Sequence, residues 1–290
     1  MHFTKMHGIG NDYVYVDGSK EHIEDPGRLA QRISDRHFGI GSDGLILINP
    51  SSEADFEMEM YNADGSRGAM CGNGIRCVGK YVYDHGLTDK TEVRILTLSG
   101  IKTVALFPGE DGRIERARVD MGEPVLEPGR IPVKTSLIPG RSGKDEEKEP
   151  VIAAPCLIGG GTHSITCVSM GNPHCVTFTE RDVYELNLEE IGPSFERSPL
   201  FPERVNTEFV NVLSRDHLRM RVYERGSGET WACGTGACAV AVAAVLNGLA
   251  ERRVTVTLRG GDLLIEWDET TGHVFMTGPA EEVYQGDICL

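Results

Sequence analysis

The chain has 290 residues, of which 40% are hydrophobic and 25% charged, enough apolar material for two ordinary cores. Its formal charge of −15 argues against nucleic acid or an anionic membrane surface as partner, and no apolar run is long enough for a bilayer-spanning helix. The first seven residues lack the apolar core of a signal peptide, so the expectation is a cytoplasmic protein whose eight cysteines are thiols rather than disulfides.

In chain order, Asp12–Val16, Gly44–Ile48 and Phe56–Met60 have strand length and strand composition. A helix follows, with Ile75, Val78 and Val82 at helical spacing and Gly86 as its stop. From Pro139 to Gly161 the chain is rich in glycine and charge around Lys144–Glu149 and reads as a mobile, solvated loop. Ala237–Leu246 is apolar on every side, which predicts a helix through the centre of its domain, and Val254–Leu258 is a further strand.

The chain also repeats itself. Met58-Glu-Met-Tyr61 is matched by Met220-Arg-Val-Tyr223, Cys71-Gly-Asn-Gly74 by Cys233-Gly-Thr-Gly236, and Gly86-Leu87 by Gly248-Leu249, all at an offset of 162 residues (71 to 233). A period this long indicates a duplicated domain rather than a solenoid. Each copy carries one cysteine at the mouth of a helix. If the halves are related by a pseudo-twofold axis, the two thiols face one carbon from opposite sides of an interdomain cleft, as stereochemical inversion needs.

Glycines in a first helical turn allow close backbone approach and leave amides that favour a carboxylate. The same positive end favours a thiolate, so each cysteine is expected to titrate below the free value of about 8.5 and to act as a base. A lone cysteine is usually a packing residue. These two follow polar loops, Asn62–Arg67 and Glu224–Glu229, which is not how core cysteines are introduced. Cys77, Cys156, Cys167, Cys175, Cys238 and Cys289 lack that context and are read as packing residues. The spacings Cys71 to Cys77 and Cys233 to Cys238 fit no metal site, and no cofactor motif is found, so neither metal nor cofactor is expected.

Met6-His-Gly-Ile-Gly-Asn-Asp-Tyr13, Tyr61-Asn-Ala-Asp-Gly-Ser66, Met70-Cys-Gly-Asn-Gly74, Gly171-Asn-Pro-His174, Arg204-Val-Asn206, Tyr223-Glu-Arg-Gly226 and Ala232-Cys-Gly-Thr-Gly236 together resemble the diaminopimelate epimerase family. The resemblance runs through the whole chain. It implies a PLP-independent isomerase that interconverts LL- and meso-2,6-diaminopimelate for lysine and peptidoglycan precursors. It also implies an α+β fold of two pseudo-symmetric halves, each a mostly antiparallel sheet wrapped around a central helix, assembled as a homodimer. The halves would be residues 1–118 closed by a strand from 279–290, and residues 119–278, with the active site in the cleft between them. By the same resemblance Cys71 and Cys233 are the acid/base pair, with His174 and Glu224 adjusting their pKa values. Asn11, Asn62, Gly72, Asn73, Asn172, Asn206, Glu224, Arg225, Gly234 and Thr235 would hold the substrate.

The chain departs from the family pattern at Gly44, where many relatives carry a substrate-binding glutamine, and in the long 139–161 insertion. A proline or hydroxyproline racemase shares the paired layout but usually reads Cys-Gly-His-Gly in its first motif, where this chain has Asn73. A hydrolase with a cysteine nucleophile and His174 as base would need one thiol and leave the duplication unexplained. An amino-acid-binding protein without catalysis is the third alternative.

Overall fold

The computed structural model describes residues 1–141 and 148–289. The chain divides into two compact units, Met1–Asp120 with Thr277–Leu290, and Met121–Met276.

In the first unit, antiparallel hairpins are joined by parallel steps. His2–Gly8 pairs with Asn11–Asp17, which runs parallel to Gly44–Pro50. That strand pairs with Phe56–Asn62, which runs parallel to Glu92–Thr97, and Gly100–Pro108 and Ile114–Asp120 complete the order. On the far edge Glu281–Asp287 adds antiparallel to His2–Gly8. Each parallel step needs a crossover, and each crossover carries a helix, Pro26–Ser34 in the first and Gly72–Asp84 in the second. Ile75, Val78 and Val82 are fully buried in the second helix, and each such side chain contributes about 1.5–3 kcal/mol of burial.

The second unit repeats this order. Gly161–Ser169 pairs with Pro173–Phe178, parallel to Asn206–Ser214, which pairs with His217–Glu224, parallel to Arg253–Leu258 and its partner Gly261–Trp267. Its crossovers carry the helices Leu188–Glu196 and Gly234–Leu246. The repeat therefore reaches the level of topology: α+β, with a mixed sheet and one long buried helix per unit.

The helix ends match as well. Cys71 and Cys233 are the N-cap residues of the two long helices, with φ −128° and −126°. At the other end Gly86 and Gly248 both have φ +70°, a backbone region in which only glycine is unstrained. Gly86 N donates to Tyr83 O at 3.0 Å and Leu87 N to Val82 O at 2.9 Å; Gly248 N donates to Val245 O at 3.0 Å and Leu249 N to Ala244 O at 2.9 Å. Both ends are Schellman motifs, which explains why Gly-Leu recurs at the repeat offset.

Two sequence expectations change, and two short helices are additional to the predicted elements. The loop expected from Pro139 to Gly161 contains a strand, Ala154–Ile158, antiparallel to Gly161–Ser169, and Val151 is fully buried. Ala154, Cys156 and Ile158 point inward while Pro155 and Leu157 face out, a period-two pattern hidden by flanking prolines and glycines. Residues 142–147, which hold most of the charged run, lie outside the described residues. The short helices Pro26–Ser34 and Leu188–Glu196 went unread, the latter because Gly192 and Pro193 lie inside it. Finally, Cys289 is exposed rather than packed. Among the described residues no helix is long and apolar enough to cross a membrane.

Candidate active site

In the first unit the surroundings of Cys71 form a chain of hydrogen bonds whose direction is set at both ends. Arg76, fully buried, can only donate, and its Nη1 reaches Asn73 Oδ1 at 3.0 Å and Gly72 O at 3.2 Å. That turns Asn73 Nδ2 toward Asn11 Oδ1 at 3.4 Å. Asn11 Nδ2 in turn donates to the Asp43 carboxylate at 2.7 Å. With its amide nitrogen committed, Asn11 can offer Cys71 only its carbonyl oxygen, and the Cys71 thiol donates to it at 3.2 Å. The sulfur also accepts from Gly74 N at 3.3 Å, the side-chain cap of the helix. Asn11 is presented by the turn before its strand, where Ile9 and Gly10 have φ +49° and +85°.

The other candidates here divide. Gly72 lies buried in the first turn, Asn11 bonds Cys71 directly, and Asn73 joins it through Asn11. Asn62 is occupied in its own turn, with Nδ2 donating to Ser66 Oγ at 3.0 Å and its backbone N to Ser66 O at 2.9 Å. Gly44, assigned no role from sequence, faces Asn62 in the strand pair, and a Cβ there would lie 2.0 Å from Tyr61 O. The backbone around it has no room for a side chain.

In the second unit Cys233 is 5% exposed, with Sγ 3.6 Å from Thr235 Oγ1. Gly234 is buried beside it in the first helical turn. Glu224 ends the strand His217–Glu224, accepts from Thr230 Oγ1 and takes the hydrogen bond of the Cys233 thiol. Asn206 Oδ1 accepts from Arg225 N at 2.9 Å, while its Nδ2 donates to Pro173 O at 2.9 Å; the Arg225 side chain is exposed, with Nη1 on Glu203 O. His174, fully buried, places Nδ1 at 2.7 Å from Glu208 Oε1 and Nε2 at 3.0 Å from Asn172 Oδ1.

The electrostatics correct one expectation. Burial pushes the Cys233 thiol well above its ordinary range, and the carboxylates of Glu224 and Glu208 push it further; the Thr235 hydroxyl opposes this only in part. Burial likewise raises Glu224, with bonds from Thr230 and Cys233 and the charge of His174 acting against it. The helix N-terminus favours a thiolate, but desolvation and two nearby negative charges outweigh it. Cys233 is therefore a thiol at neutral pH in the structure described, not the low-pKa base expected from the motif. Accordingly, alkylation of Cys233 by iodoacetamide, followed by peptide mapping, is expected to reach half its limiting rate above pH 8.5, the free-thiol value of about 8.5 being the reference. A midpoint below that would contradict the assignment.

Four residues around the two cysteine sites were not singled out from sequence: Arg76, Asp43, Glu208 and Glu196, the last 3% exposed and accepting from Gly226 N at 2.8 Å. For Arg76 the signal existed, since an arginine on the face of an apolar helix needs a buried reason. The others sit on separate elements, and only pairing in space reveals them.

Residues 3–127 and 166–283 match the family model described as diaminopimelate epimerase. A diaminopimelate epimerase from Acetivibrio thermocellus is 55% identical over 100% of this chain and 99% of its own length. One from Agathobacter rectalis is 57% identical, with 99% of each chain covered. Among solved structures, a phenazine biosynthesis protein from Bacillus anthracis shares the fold with a TM-score of 0.69 at 14% identity, covering 100% of this chain and 99% of its own. A probable proline racemase from Agrobacterium radiobacter does so with a TM-score of 0.66 at 14% identity, covering 100% and 93%. With more than half of its residues matched by the family model and full-length relatives above 50% identity, the chain belongs to the diaminopimelate epimerase family.

Proposed function

We propose that this protein interconverts LL- and meso-2,6-diaminopimelate by proton exchange at the α-carbon, with Cys71 and Cys233 as the two acid/base groups. The observation that supports this most is the site-level duplication: in each unit a cysteine caps the buried helix with the same backbone geometry, in a polar setting. Cys233, held as a thiol, is the acid that delivers a proton in one direction; once ionised it is a strong base for the reverse. First-turn amides, with Gly72 and Gly234, stabilise charge gathering on the substrate carboxylate as the proton leaves. Asn11, Asn62, Asn73, Asn172, Asn206, Glu224, Arg225 and Thr235 complete the recognition set; Asn73 and Asn206 are buried, and buried hydrogen-bonding groups reject analogues that leave them unpaired.

A cysteine-nucleophile hydrolase fits less well. Both ring nitrogens of His174 face Glu208 and Asn172, so the imidazole is committed to partners other than a sulfur. The lysine and peptidoglycan precursor role, a cytoplasmic location and a homodimer belong to the same proposal. For the dimer, the exposed pair Val283 and Tyr284 on the terminal strand offers apolar surface.

Incubation with LL-diaminopimelate in D₂O tests the reaction. The meso product should carry deuterium at the inverted carbon from the first turnover while remaining substrate stays largely protiated. Product that keeps the original proton would indicate a single base acting on both faces.

A further inference from the structure

Glu208 lies two residues after Asn206 on the strand Asn206–Ser214, so both side chains project from one face of the sheet. It is fully buried, and its two oxygens are used unequally. Oε1 is 2.7 Å from His174 Nδ1, while Oε2 has no hydrogen-bond partner. A Cβ added at Gly236 would lie 2.7 Å from Oε1 and 3.2 Å from Cys233 Sγ, so carboxylate and sulfur flank the same point in the first helical turn. The glycine at this place in the motif makes room for the carboxylate.

A buried carboxylate with one unpaired oxygen is costly, and native structures retain such groups where they do something else. Here its charge bears on neighbours from three elements: Cys233 on the helix, Glu224 on the adjoining strand, and His174 with Cys175 on the parallel strand. A negative charge next to a second ionisable acid disfavours ionisation of that acid. A carboxylate oxygen can only accept, so this contact calls for the proton on His174 Nδ1, and the ring so held places Nε2 3.0 Å from Asn172 Oδ1.

We propose that Glu208 is a positioning residue for the acid/base chemistry, resting on the reading of Cys233 above: it clamps the His174 ring through Nδ1, and its charge beneath the first helical turn keeps Cys233 protonated between turnovers. The same charge makes the Cys233 thiolate, once formed, a stronger base toward an α-proton.

The variant Glu208→Gln keeps an acceptor for His174 Nδ1 and loses the charge. In it the pH midpoint for alkylation of Cys233, followed by peptide mapping, should fall by about one unit, which is tenfold more thiolate at a fixed pH below the midpoint. The Cys71 midpoint in the same samples should not move. An unmoved Cys233 midpoint, or equal shifts at both cysteines, would overturn the proposal. Should Glu208→Gln fail to fold, wild-type protein labelled with ¹⁵N-histidine decides the clamp: a protonated, hydrogen-bonded Nδ1 on His174 is expected, and an unprotonated Nδ1 refutes it. Neither readout requires turnover, so the D₂O experiment can fail while these succeed, and the reverse.

Discussion

Alanine at Cys71 or at Cys233 is expected to reduce kcat for epimerisation by several orders of magnitude in both directions. On the two-thiol proposal each cysteine is the base for one direction and the acid for the other, so neither loss can be confined to one substrate. The structural cost should be small by comparison. Cys71→Ala removes the sulfur that accepts from Gly74 N, a cap worth roughly 0.5–2 kcal/mol. Steady-state rates from both epimers, with thermal melts of each variant, check this. If either folded variant keeps more than about a tenth of wild-type kcat, a loss under roughly 1.4 kcal/mol, the paired assignment is wrong.

The second large effect is expected at a residue that touches neither sulfur. Arg76→Met keeps the unbranched apolar stem of the side chain and removes its donors, leaving Gly72 O, Asn73 Oδ1 and Pro279 O without the guanidinium that now serves them. Buried acceptors stripped of a charged donor cost about 1–3 kcal/mol, so the denaturant midpoint should fall by an amount equal to roughly 2–4 kcal/mol at unchanged slope. Activity should fall beyond that in the folded fraction. Without Arg76 the Asn73 amide loses the donor that sets its direction, which weakens the hold on the Asn11 oxygen that receives the Cys71 thiol. An unchanged midpoint would show that the arginine is dispensable to the first unit.

Much of this site was legible because its chemistry is written in short, contiguous motifs. Cys-Gly-x-Gly before an apolar helix, repeated 162 residues apart (71 to 233), places both thiols at helix N-caps, since glycine-rich first turns and Gly-Leu stops are local backbone requirements. The small helices were less legible. Leu188–Glu196 survives a glycine and a proline because Leu188 and Phe195 are buried in the unit's core, a tertiary gain that outweighs poor local propensity. Ala154–Ile158 is a strand because a neighbouring strand supplies its hydrogen bonds.

The sequence by itself thus determined the duplication, the two helix-capping cysteines and the family, all of which rest on local patterns and their spacing. The protonation of Cys233 was decided only by tertiary structure. The motif alone presents a helix N-terminus, which lowers a thiol pKa; the fold adds near-complete burial, Glu224 from one strand and Glu208 from another, which raise it. Desolvation and charge–charge repulsion depend on distance in space and on the exclusion of water, and neither is encoded at the cysteine's own position in the chain.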